Sequence, residues 1–84
     1  MSQLSLDELT QVLAAGAAAH HDYEQVSLGG VRDQQWSGFY AAYTLGRLRD
    51  FLAPSTLSDW LEQAPPGDNW PATAADYVIE RLSA

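Results

Sequence analysis

Position 20 is a histidine and position 24 a glutamate, one helical turn apart inside AAAHHDYEQ (17–25). Imidazole and carboxylate at that spacing lie on one face of a helix. There they can share a divalent metal, work as a general-base dyad, or hydrogen-bond into a core. Two ligands make a poor metal site, and the sequence shows no third. The Glu-x-x-His order of di-iron bundles is reversed here. No nucleophile motif, anion-cradling loop or cofactor fingerprint accompanies the pair. The residues therefore assign no catalytic group, no metal and no cofactor. They favour a structural polar network, with a small-molecule or metal site as the alternative use of the same side chains.

Such a site needs helices to hold it, and four can be read. The first spans 6–27. It opens on a capping box, Ser5 with Glu8, and carries Leu6, Leu9, Leu13 and Ala17 at helical spacing. His20 and Glu24 continue that stripe, Tyr23 sits at its edge, and His21 and Asp22 turn away. LGGVR (28–32) reads as a glycine turn. Asp33 is the expected N-cap of a second helix over 34–52, and Pro54 stops it. Thr56 with Asp59 suggests a capped third helix over 56–63. Pro71 opens a fourth over 71–82. Apolar residues recur at three and four, not at two, so no strand is expected. The expected architecture is all-α: a single-domain four-helix bundle over 1–84.

The second helix is expected to be central. Ala41, Leu45, Leu48 and Leu52 form one stripe; Trp36, Tyr40, Tyr43 and Arg47 form another; Gly38, Ala42 and Gly46 form a third, read as a close-packing face. If the first two helices run antiparallel about Gly30, Glu24 meets Trp36, His20 meets Tyr40, and Gly16 with Ala17 leaves room for the Tyr43 ring. If the Glu24 carboxylate is not solvated, Arg47 or Arg81 is its candidate counter-charge. His20, Glu24, Trp36, Tyr40, Tyr43 and Arg47 make up the candidate network or ligand pocket. Trp36-x6-Tyr43-x3-Arg47 repeats as Trp70-x6-Tyr77-x3-Arg81, which suggests two degenerate helix pairs; chance in an alanine-rich chain is the alternative.

Composition narrows the function. With 84 residues the chain reads as one small domain that buries only about 60% of its unfolded surface. There is no cysteine, hence no disulfide or thiol chemistry. The net charge is -7, with four arginines and no lysine, which argues against a phosphate-tracking nucleic-acid surface. No apolar run suits a membrane span. MSQLSLDEL lacks the pattern of a secretion signal, so a cytoplasmic location is expected.

AHHDYE (19–24), LGGVRDQQW (28–36) and FYAAY (39–43) together resemble a group of small bacterial proteins, mycobacterial ones among them, to which no activity is assigned. The resemblance covers about the first half of the chain. It implies a helical fold and a cytosolic setting, and it carries no reaction. The favoured role is therefore a small protein-interaction or accessory module, self-associating or bound to a partner, with Trp60 and Trp70 as the expected exposed anchors. A ligand- or metal-binding protein built on His20, Glu24 and the tyrosines is the first alternative. An acidic neutraliser of a basic toxin is the second.

Overall fold

The computed structural model describes residues 4–83. Four helices follow in order: α1 (Leu6–Val26), α2 (Trp36–Arg47), α3 (Pro54–Gln63) and α4 (Trp70–Ser83). Among the described residues there is no strand, and no helix is long and apolar enough to cross a membrane. Each helix packs against two neighbours, α1 on α2 and α4, α3 on α2 and α4, while the diagonal backbones stay apart. The protein is an all-α four-helix bundle. Tyr40 of α2 also reaches Trp70 of α4, so α2 touches every other helix.

The helix ends follow local chemistry. Ser5 Oγ accepts the Glu8 N–H at 3.0 Å and Glu8 reaches back to the Ser5 N–H at 3.4 Å, completing the box. At the other end of α1 the Gly30 N–H donates to the Glu24 carbonyl at 2.8 Å. Gly29 (φ 61°) and Gly30 (φ 86°) take the left-handed conformations that close this turn.

Three expected boundaries move. Asp33 does not cap α2; the N-cap is Gln35, and Asp33 instead accepts the Gln35 N–H in a local turn. α2 ends at Arg47 rather than at 52. The chain must reverse before Pro54, so Phe51 and Leu52 leave the helix and lie half-buried against the core. Thr56 does not open α3, because Pro54 supplies the first helical residue with its fixed φ and Ala53 precedes it in extended conformation.

The core joins Leu9 and Leu13 of α1, Ala41 and Leu45 of α2, Leu57 and Leu61 of α3, and Ala74, Ala75 and Val78 of α4. The buried side of α1 is Leu9, Leu13, Gly16 and His20. Leu6 departs from its expected stripe and is 44% exposed. The small-residue face of α2 is also corrected. Gly38, Ala42 and Gly46 are exposed, and a Cβ built at either glycine meets nothing within 4 Å. Periodicity groups small residues on one side but cannot say that a neighbour arrives there. Close approach occurs instead at Gly16, whose added Cβ would stand 3.3 Å from both the Tyr40 and Tyr43 rings.

The two repeated segments occupy matching places. Each helix, α2 and α4, begins at its tryptophan, and each arginine lies over the tyrosine four residues before it: Arg47 at 4.9 Å from Tyr43, Arg81 at 5.4 Å from Tyr77. The two tryptophans meet edge to face at 5.7 Å. That correspondence fits two degenerate helix pairs.

One buried group gives a direct stability prediction. Thr44 is 1% exposed and its Oγ1 has no hydrogen-bond partner among the described residues. A buried hydroxyl left unpaired costs free energy that a methyl of the same shape does not. Thr44→Val should raise unfolding stability by about 1 kcal/mol in urea titrations; a loss of stability would mean that the hydroxyl is partnered in solution.

Candidate functional site

The end of α1, the turn after it and the first residues of α2 and α4 converge on one corner of the bundle. His20 is 8% exposed and lies within an aromatic shell: Phe39 edge-on at 5.0 Å, Tyr40 at 5.3 Å and Tyr23 at 6.5 Å between ring centroids. The expected meeting of His20 with Tyr40 is thus a ring contact. Its hydrogen bond goes elsewhere, from Nε2 to Asp33 Oδ2 at 3.1 Å. A carboxylate only accepts, so Nε2 carries the proton of that bond. Nδ1 faces Glu24 Oε1 at 3.9 Å, beyond hydrogen-bond range.

Glu24 is held from the turn rather than from the second helix. Its Oε2 accepts the Asp33 backbone N–H at 2.7 Å. This replaces the expected bond from Trp36. The expected counter-charges are also absent: Arg47 lies over Tyr43, and Arg81 over Trp60 and Tyr77. Both guanidiniums serve aromatic faces, so Glu24 is left without an arginine partner among the described residues. Asp33 is therefore the hinge of the network. One oxygen orients His20, the other accepts the Gln35 N–H at 2.9 Å, and its own N–H fixes Glu24.

Beside this network opens a cleft of about 420 Å³, lined by His20, Glu24, Gly30, Arg32, Asp33, Trp36, Tyr40 and Trp70. Trp36, Tyr40 and Trp70 form its aromatic corner, with each pair of rings 5.2–6.0 Å apart and inclined by 64–80°. Of the six residues expected to form a network or pocket, His20, Glu24, Trp36 and Tyr40 line the cleft. Tyr43 and Arg47 do not; they pack farther along α2, Tyr43 over Gly16.

The two tryptophans expected as exposed anchors are both half-buried. Trp60 lies under Arg81. Trp70 belongs to the cleft, because the α3–α4 turn brings the start of α4 against the start of α2. Gly30, Arg32 and Asp33 are not singled out for a site by sequence reasoning, and Trp70 is named there only as an exposed anchor. The repeated tryptophan at the head of two helices is the one sequence signal pointing to Trp70; Asp33 had only its N-cap reading.

Several polar groups of the lining residues have no partner among the described residues. The indole N–H groups of Trp36 and Trp70 and the Tyr40 hydroxyl make no hydrogen bond among the described residues, and Arg32 makes no ion pair there. Among the described residues, no three His, Asp or Glu side chains are grouped so as to hold a metal ion.

Burial, and then the Glu24 carboxylate, push the Tyr40 phenol above its ordinary pKa of 10.0. The folded state then holds that proton more tightly than the unfolded chain. The associated stability is full below pH 10.0 and falls as pH rises through the folded value. Urea stability should therefore decline above that pH, and Tyr40→Phe should flatten the decline. An equal slope in both proteins would remove Tyr40 from the account.

No family model, curated protein or solved structure matches the chain.

Proposed function

We propose that this protein is a small-molecule-binding module whose site is the cleft at the heads of α2 and α4. The observation that carries the reading is an open cleft of about 420 Å³ that brings the Trp36, Tyr40 and Trp70 rings together with His20, Glu24 and Arg32. Ligand sites combine an apolar wall with a few polar groups, in volumes of about 300–1,000 Å³, and the cleft falls in that range. Its walls are built for geometry that persists without a ligand. Asp33 anchors His20 and Glu24, and the glycine turn after α1 fixes the loop. A protein-interaction role, favoured on composition, is the second reading; its two named anchors, Trp60 and Trp70, are half-buried.

The test is a fragment library read by thermal unfolding. A ligand at a hundredfold excess over its Kd adds about 2.7 kcal/mol of stability. Hits should raise the melting temperature of the natural protein and leave that of Trp70→Ala unchanged. A library with no saturable binder, or hits that stabilise both proteins equally, would remove the reading.

A further inference from the structure

The cleft's hydrogen-bonding inventory is uneven. Asp33 has both carboxylate oxygens committed, to His20 Nε2 and to the Gln35 N–H. Glu24 has one committed, Oε2 to the Asp33 N–H. Among the described residues its Oε1 has only the imidazole at 3.9 Å, too far for a hydrogen bond. That oxygen is a carboxylate acceptor with lone pairs to spare, on a cleft that the Trp36, Tyr40 and Trp70 rings also line. The only guanidinium on the lining, Arg32, is exposed and does not pair with it.

We infer that the cleft takes a small organic ammonium ion, a protonated primary or secondary amine carrying an apolar body. The inference rests on the small-molecule reading above and specifies its ligand. The ammonium N–H donates to Glu24 Oε1, a charge-assisted bond. The positive charge also lies beside the rings of Trp36, Tyr40 and Trp70, which line the same cleft and whose π systems attract a cation. The Tyr40 hydroxyl, already in the field of Glu24, gains a polar neighbour. An anionic ligand would find donors in the indoles and Arg32, but it would stand against the Glu24 and Asp33 carboxylates. That repulsion makes the cation the better match.

Three probes of similar size separate the cases: phenethylammonium, phenethyl alcohol and phenylacetate, each titrated while the tryptophan indole resonances are followed by NMR. Phenethylammonium should bind about tenfold more tightly than the alcohol, with phenylacetate weakest. Glu24→Gln keeps an acceptor for the Asp33 N–H and should remove the ammonium's advantage over the alcohol. Arg32→Gln, at an exposed position, should raise ammonium affinity and lower that of phenylacetate. It serves as the second variant should Glu24→Gln fold poorly. If the alcohol or phenylacetate binds as tightly as the ammonium, or if neither variant changes the order, the cation assignment falls. Saturable binding to the cleft by any neutral or anionic probe would leave the small-molecule reading standing. Absence of binding by all three probes overturns the cation assignment, and the fragment library then decides whether the wider reading falls with it.

Discussion

Replacing Asp33 by alanine should lower unfolding stability by about 2–3 kcal/mol, because it strands a buried imidazole N–H. Among the described residues His20 Nε2 has no other acceptor than Asp33 Oδ2, and both side chains are largely covered, at 11% and 13% exposure. Leaving such a donor unpaired costs its full desolvation penalty, which exceeds the net value of the bond itself. The Gln35 N–H loses its acceptor too, but it is exposed and water replaces the carboxylate at little cost. For a domain of this size the loss corresponds to a melting temperature lower by roughly 10 °C or more. Asp33→Asn retains an acceptor oxygen and should cost about 1 kcal/mol. Equal melting temperatures for the natural protein and Asp33→Ala would mean that the His20–Asp33 contact contributes nothing.

The second large effect belongs to Gly16. Its missing side chain is where the Tyr40 and Tyr43 rings lie, each 3.3 Å from the place a Cβ would occupy. Alanine there gains about 1 kcal/mol of helix propensity and meets two rings that must shift by a few tenths of an ångström, so Gly16→Ala should come out near zero. Leucine cannot be accommodated by so small a shift. Overpacking of this kind costs about 1–3 kcal/mol, and displacement of Tyr40 adds loss of its contacts with His20 and Trp70. Gly16→Leu should therefore destabilise by about 2–3 kcal/mol and weaken any ligand of the cleft as well. Chemical denaturation reads the first effect and titration the second. A stable Gly16→Leu protein would show that α1 and α2 are farther apart at this level than described.

Both effects concern contacts that sequence reasoning reached to different degrees. Gly16 and the Tyr43 ring were legible, because antiparallel helices joined by a short turn pair residues by simple counting from Gly30. The same counting placed His20 against Tyr40. The Ser5–Glu8 box was legible because its atoms lie within one turn. Asp33 was not, because its role depends on the path of an irregular turn, where no period constrains the side chain. Asp33 has good N-cap chemistry, yet the helix begins three residues later and the carboxylate turns to His20 instead.

Trp70 illustrates a second limit. A tryptophan at a helix entrance in so small a domain looks exposed from one segment alone. Its cover comes from Trp36 and Tyr40 on a helix whose backbone does not adjoin α4. The small face of α2 erred in the opposite direction, since the residues permit a close neighbour and the bundle supplies none. Side-chain type sets what a surface allows; the arrangement of helices around it decides which allowance is used.

The three tryptophans provide the most direct test, since two line the cleft and one does not. The measurement is the indole N–H resonances in a two-dimensional proton–nitrogen NMR spectrum during titration with the best fragment. Trp36 and Trp70 should shift together along one saturable curve while Trp60 stays in place. Shifts confined to Trp60, or no shift of either cleft indole with any fragment, would contradict the assignment of this corner as a ligand site.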